Sequence, residues 1–317
     1  MARMRPFPAL LAVALLLATP AAVLAHGAAA PAPNLPGVLL AWRFDPIVVA
    51  GLLVVAATYL WAVRRVNRGH PGNRQPAYRS WLFCGGLGAI GIALLSPIEA
   101  YEGALFSVHM VQHMLLELVA APLLLGGAPI TVALRAATPS VRRVLLSILQ
   151  SRIVHAVSFP VVAWVLFAAV NWGWHFSVLY DQALENQALH YLQHATFLGA
   201  ALLFWWPVVG ADPSPWRLPH PVRILYLFLA MPQNSFLGVA IMSATAVLYP
   251  HYVTNVRDWG LTPLDDQALG GVIMWVVGDV AFLVGMMLVV VLWMRHEDRR
   301  TARLDRRLAA ERLARGE

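Results

Sequence analysis

Seven long apolar runs, separated by loops whose arginine content alternates, constrain this chain more than any other feature of its sequence. The runs lie near residues 46–64, 80–97, 105–126, 153–171, 188–209, 223–248 and 270–294. As a helix rising about 1.5 Å per residue, each run can cross about 30 Å of hydrocarbon. A helix satisfies its own backbone hydrogen bonds in lipid, so the pattern predicts an all-α polytopic membrane bundle of seven transmembrane helices.

The arginines indicate how this bundle is oriented. All 23 basic residues are Arg, and only 12% of the chain is charged, which is low for a water-soluble domain. Most of them lie in loops 64–79, 127–152 and 210–223 and in the tail. The opposite side carries only Arg43 and Arg257. Since short cytoplasmic loops are enriched in basic residues, we predict a multi-pass protein of the bacterial plasma membrane, with the mature N-terminus outside and the C-terminus cytoplasmic. The net charge of +7 therefore reflects topology in a lipid bilayer and not nucleic-acid binding.

The two ends of the chain differ in character. Arg3 and Arg5 precede an apolar stretch and a small-residue site at Ala25, which predicts a signal peptide over residues 1–25; an uncleaved extra helix is the alternative. Cleavage would make His26 the N-terminal residue, and its amine and imidazole could chelate Cu(II). We predict an extracytoplasmic lead-in over 26–45, a membrane domain over 46–295 and a basic cytoplasmic tail over 296–317. The tail is expected either to lie against anionic headgroups or to be solvated.

The single cysteine, Cys84, lies inside an apolar run. One cysteine excludes a disulfide within the chain and also a CxxC metal site. We interpret Cys84 as a small buried apolar residue.

Histidines cluster towards the outer ends of the predicted helices. Six of the eleven map there: His109, His113, His175, His190, His194 and His251. Two His-x-x-Gln-His motifs place pairs four residues apart, so each pair projects from one face of its helix. The pairs lie at matched depth and could supply four nitrogens to one metal ion or to two nearby ions. The alternative is that these histidines are hydrogen-bonded core residues.

Acidic and sulfur-containing side chains accompany the histidines. Glu117 continues the stripe of His109 and His113 towards the middle of the membrane, and Asp279 lies at a similar depth on the last helix. With His251, they could form a second shell or a polar path below the site, or act as interhelical hydrogen-bond glue. Three methionines could act as soft Cu(I) ligands or as packing: Met110, Met114 and Met242.

The residue that follows the first histidine of each motif limits the metal chemistry that the histidines could support. A zinc protease of the HExxH type needs Glu after the first histidine, but Met110 and Tyr191 stand there. That mechanism is therefore disfavoured. We expect the protein to act without catalysing a bond change. Imidazoles grouped on the oxidising side favour copper. A single haem b ligated by one histidine from each helix remains open, as does a metal-free scaffold.

Four segments of the sequence resemble a known family. They are His109-Met-Val-Gln-His-Met-Leu-Leu116 running to Ala121-Pro-Leu-Leu-Leu-Gly-Gly-Ala-Pro129, Asn171-Trp-Gly-Trp-His175, Leu189-His-Tyr-Leu-Gln-His194 through Phe204-Trp-Trp-Pro207, and Asp266-Gln-Ala-Leu-Gly-Gly-Val-Ile-Met-Trp275. As an ordered set over roughly 38–295, they resemble the caa3-type cytochrome c oxidase assembly factor family (CtaG in its Bacillus sense). The resemblance implies a multi-helix membrane protein that works with cytochrome c oxidase subunits, at the stage of copper insertion. It also implies that five histidines occupy the family's positions: His109, His113, His175, His190 and His194.

The sequence therefore predicts a membrane assembly factor that binds copper transiently through its outer histidine cluster and delivers it to an oxidase subunit. Transient binding implies an exposed route for transfer. His175, which stands beside Trp172 and Trp174, is expected to close over the site.

Overall fold

The computed structural model describes residues 32–255 and 257–315, and this part of the chain is helical, with no β-strand. The predicted signal peptide over 1–25 and the predicted N-terminal His26 lie outside the described residues.

Six helices are long and apolar enough to cross a membrane, and a bent pair of helices makes up to seven. In chain order, the spans are Pro46–Gly69, Ala77–Tyr101, Phe106–Ala136, the pair Pro160–His175 with Leu179–Glu185, Gln187–Val209, His220–Met242 and Pro263–Leu308. We number them first to seventh in this order. The prediction of an all-α polytopic membrane bundle is confirmed.

The fourth span departs from the run predicted over 153–171. A short helix, Arg152–Val157, ends before Pro160, and the longer helix begins at that proline. Proline has no amide hydrogen to donate within a helix, and it disfavours helical geometry in the residue before it. One apolar run therefore becomes two helices. A second break, with a bend of 70°, then separates Pro160–His175 from Leu179–Glu185.

The third span contains a stretch of π-helix. It runs as α-helix over Phe106–Met114, as π-helix over Leu115–Ala120 and again as α-helix over Ala121–Gly126. Pro122 follows the wide turn, and a proline ring would clash with the carbonyl four residues earlier in a regular α-helix. The π-helix relieves that clash and changes the register between the residues before and after it.

Two buried apolar clusters hold the bundle together. One draws chiefly on the third, fifth, sixth and seventh spans, and the other on the first, second and third. The sixth and seventh spans approach closely at two glycines: a Cβ on Gly271 would lie 2.6 Å from the carbonyl oxygen of Gly238. Small residues permit such close backbone approach between helices in lipid.

The last helix extends well beyond its membrane span. Pro263–Arg315 is continuous over 53 residues, roughly 80 Å at 1.5 Å per residue, whereas about 30 Å suffices to cross the hydrocarbon. At its start, Asp266 accepts hydrogen bonds from the backbone N–H of Phe106 and from the hydroxyl of Ser107. The seventh span is thereby joined to the first turn of the third.

Candidate metal centre

The two histidines of the third span face each other within one turn of helix. The Nε2 atoms of His109 and His113 lie 2.8 Å apart, and both side chains are buried. The spacing of four residues on the α-helical segment before the π-helix produces this contact. Two donors that each lie about 2.0–2.1 Å from one ion are at most about 4 Å apart, so these two nitrogens can share an ion.

The fifth span brings its own pair to the same place. The rings of His190 and His194 have centroids 4.2 Å apart, and the ring of His194 lies 5.9 Å from that of His113. The ligand atoms of His109, His113 and His194 all lie within 4.8 Å of one another. We call these three residues the imidazole position.

His175, the last residue of the helix Pro160–His175, adds a fifth histidine to the cluster. Its Nδ1 lies 2.7 Å from the carbonyl oxygen of Asn171, and its ring centroid is 6.0 Å from that of His113. Among the described residues, neither the Nε2 of His175 nor the Nδ1 of His113 has a hydrogen-bond partner. Buried polar atoms of this kind are normally satisfied, so two unpartnered imidazole nitrogens in one cluster suggest a ligand.

Glu102 is a member of the cluster that the sequence analysis did not single out. It lies in the turn before the third span, with one carboxylate oxygen 3.0 Å from the Nδ1 of His109 and 3.9 Å from the Nε2 of His190. Ligand atoms of Glu102, His109 and His190 also lie within 4.8 Å of one another. We call these three residues the carboxylate position. An acidic residue seven positions before His109, in the turn ahead of the third span, was the available signal.

Tyr252 was also missed, and it covers the cluster from the connection between the sixth and seventh spans. Its hydroxyl lies 3.3 Å from the Nδ1 of His109 and donates to the backbone oxygen of Glu102 at 3.1 Å. Burial raises the pKa of Tyr252 well above its usual value, so the phenol stays protonated and available as a donor. Tyr249, in the same connection, donates to the backbone oxygen of His175.

The remaining predicted site residues lie around the cluster and not in it. The ring of His251 is directed to the carbonyl oxygen of Gly103, with Nε2 3.1 Å from it. Glu117 is buried below the histidines and accepts a 3.1 Å hydrogen bond from Asn171. Met110 and Met114 pack in the main apolar core.

Asp279 forms its hydrogen bonds with the sixth span. Its carboxylate accepts a 2.8 Å hydrogen bond from Ser235 and lies 3.5 Å from the side-chain nitrogen of Asn234. Both partners belong to the sixth span, so Asp279 joins the sixth and seventh spans. Interhelical hydrogen bonding, one of the two roles expected for it, describes these contacts.

A small cleft leads to one side of the cluster. It is lined by Asp45, Val48, Leu94, Glu99, His190, Tyr191 and His194. Glu99 accepts a 2.7 Å hydrogen bond from Gln112, whose side-chain oxygen lies 3.1 Å from the Nε2 of His194. The cleft therefore places two carboxylates beside two of the clustered histidines.

The fold and the site together define a class: a multi-pass helical membrane protein with five histidines and a glutamate gathered at one end of the bundle, which we call the histidine end. The family of cytochrome c oxidase caa3 assembly factors (Caa3_CtaG) has a family model that matches residues 57–296. The chain belongs to this family.

Relatives with similar sequences occur in mycobacteria. Over 282 residues, the chain is 33% identical to uncharacterized proteins of Mycobacterium bovis and Mycobacterium tuberculosis, and 31% identical to one of Mycobacterium leprae. The match covers 86% of this chain and 42% of each relative, so the chain spans about two fifths of the length of these curated relatives. No solved structure matches the chain.

Proposed function

We propose that the protein binds copper at the histidine end and delivers it to a cytochrome c oxidase subunit during assembly. The observation that carries the proposal is the convergence of buried ligand atoms from His109, His113 and His194, with His175 beside them. Membership of the caa3 assembly factor family supports the destination. Copper is a substrate to be passed on here, and we propose that no bond is made or broken in catalysis.

The donor set favours copper over the hard cations. Imidazole nitrogen suits Cu, Zn, Fe and Ni, whereas Mg²⁺ and Ca²⁺ prefer cages of oxygen ligands. Four of the five clustered histidines lie within two helical pairs, so nitrogen dominates. Among the metals that bind imidazole nitrogen, copper is the relevant one for an assembly factor of a caa3-type oxidase.

Transfer requires a route, and the cleft beside His190 and His194 supplies a candidate. Asp45 and Glu99 line it, and the carboxylate of Asp45 attracts a cation towards a narrow opening. A site reached in this way can release its ion to a partner protein without unfolding.

The orientation that we propose from the arginine pattern is consistent with the same function. The arginine-rich loops 64–79, 127–152 and 210–223 follow the C-terminal ends of the first, third and fifth spans. The cluster lies at the N-terminal ends of the third and fifth spans. By the positive-inside rule, we place the histidine end outside the cytoplasm, where oxidase copper centres would be loaded.

The haem alternative is less well supported by the geometry. The rings of His109 and His113 have centroids only 4.3 Å apart, and those of His190 and His194 are equally close. A haem held by one histidine from each span, such as His113 and His194, needs a flat macrocycle between two rings whose centroids are 5.9 Å apart. The ring of His109, 4.3 Å from that of His113 and 6.4 Å from that of His194, stands where this macrocycle would extend.

The test is metal analysis of the purified protein, with the double variant His109→Ala/His194→Ala against wild type. We expect wild type loaded with copper to retain it through desalting and the double variant to lose it. Oxidase isolated from cells carrying the double variant should be deficient in copper. His70→Ala, an exposed histidine at the other end of the first span, is the matched control and should behave as wild type.

Two results would contradict the proposal. Fully metallated oxidase from cells carrying the double variant would favour a metal-free scaffold. A Soret band in the purified wild-type protein, lost on substitution of the histidines, would favour haem binding.

A further inference from the structure

The two ring nitrogens of His109 face two different groups of ligands. Its Nε2 lies 2.8 Å from the Nε2 of His113, in the imidazole position. Its Nδ1 lies 3.0 Å from the carboxylate of Glu102, in the carboxylate position. The imidazole is buried on all sides, so neither nitrogen is available to solvent.

We propose that His109 bridges two metal ions, one held with His113 and His194 and the other held with Glu102 and His190. This inference rests on the proposed copper function and deepens it, because it assigns a second ion and a carboxylate ligand to the same site.

The distances around Glu102 fit a ligand. Its oxygen lies 3.0 Å from His109 and 3.9 Å from His190, both within the limit of about 4 Å for two donors on one ion. Two imidazole nitrogens from different spans thus converge on a single carboxylate oxygen. The hydroxyl of Tyr252 stands 3.3 Å from the same nitrogen of His109 and covers this side of the position.

A simpler arrangement is the competing explanation. Metal-binding histidines commonly donate their second N–H to a carboxylate that orients the ring without touching the ion. Glu102 could do this for His109 alone. That arrangement does not use the convergence of two imidazole nitrogens, from His109 and His190, on one oxygen of Glu102, and for this reason we favour the bridge.

The proton balance of the bridge is definite. A neutral imidazole has one lone pair and one N–H, so binding an ion at each nitrogen requires loss of the ring proton to solvent. The resulting imidazolate and the carboxylate of Glu102 place two negative charges among the ions, which partly offsets the cost of two cations in a buried site.

Titration of the detergent-purified full chain with Cu(II) alone tests the bridge. We expect wild type and His70→Ala to retain two ions per chain, and Glu102→Gln and His113→Ala to retain one each. In wild type, the electron paramagnetic resonance signal per copper should fall as the second ion binds, because an imidazolate couples the two spins. If Glu102→Gln does not elute as a folded protein, His190→Ala tests the same position.

The outcomes separate this inference from the function on which it rests. One ion in both wild type and Glu102→Gln would overturn the bridge and make Glu102 a positioning residue, while leaving copper binding intact. Two ions without spin coupling would also overturn the bridge. No retained copper in wild type would overturn the proposed function as well.

Discussion

The side-chain oxygen of Gln112 lies 3.1 Å from the Nε2 of His194, so a residue of the first His-x-x-Gln-His motif holds a histidine of the second. The amide nitrogen of Gln112 is itself fixed, because it donates to the backbone oxygen of Ala93 at 2.9 Å and to Glu99 at 2.7 Å. Gln193, the corresponding residue of the second motif, is equally buried, yet its side-chain amide has no hydrogen-bond partner among the described residues. Replacing these two glutamines is therefore expected to have different effects on copper binding.

Gln112→Leu should weaken copper binding by about 10- to 100-fold, the usual effect of losing a group that orients a metal ligand. Gln193→Leu is the matched control and should leave affinity close to wild type, since it removes no hydrogen bond. Competition titration against a chelator of known affinity measures both. Equal losses in the two variants would show that Gln112 has no special role in orienting His194.

Asn171→Leu should destabilise the bundle by about 1–3 kcal/mol, because Glu117 would lose the partner that donates to it at 3.1 Å. Replacing both residues with leucine should recover most of this loss, since an apolar pair leaves no unsatisfied group. Unfolding midpoints in detergent compare the variants. A double variant no more stable than the single one would argue against this hydrogen bond as the source of the effect.

Gly271→Ala should destabilise the protein by about 1–3 kcal/mol through overpacking, because the new Cβ would meet the oxygen of Gly238 at 2.6 Å. Gly199→Ala, on the fifth span, is the control: nothing lies within 4 Å of its added Cβ. This change should be neutral or slightly stabilising, because alanine favours a helix. Thermal unfolding of both variants provides the measurement, and an unaffected Gly271→Ala would show that the two spans can separate at little cost.

Asp212→Ala should cost about 0.5–2 kcal/mol, because Asp212 caps the helix Pro129–Ala136 from a distant loop. Its carboxylate accepts from the backbone N–H of Ile130 at 3.0 Å and of Thr131 at 2.7 Å. Asp212→Asn retains an acceptor oxygen and should lose less. Proteolysis of the loop over 210–219 reports the loosening, and identical cleavage of all three proteins would contradict it.

Most of what could be predicted about the fold and the site rested on the apolar runs and the histidine spacing. Runs of hydrocarbon length leave few alternatives to membrane helices, and a separation of four residues makes the contact of His109 with His113 a local property of one helix. The break at Pro160 could also have been predicted from the sequence, because proline signals a helix start.

The rest of the site depends on contacts between distant parts of the chain. Tyr252 reaches His109 across 143 residues, and no local pattern marks a tyrosine that will fold back over a cluster. Asp279 could be placed by depth but not by direction, because the rotation of the seventh helix depends on its packing. That packing turns Asp279 to Ser235 on the sixth span.

The unbroken helix Pro263–Arg315 has a mechanical consequence. Its first turn is fastened through Asp266 to Phe106 and Ser107, one turn before His109, and its last turns carry the arginine-rich tail. No hinge or flexible linker separates the two, so a stiff rod runs from one face of the membrane to the other. Whatever tilts the tail on one side must also shift the anchorage of the histidine-bearing helix on the other.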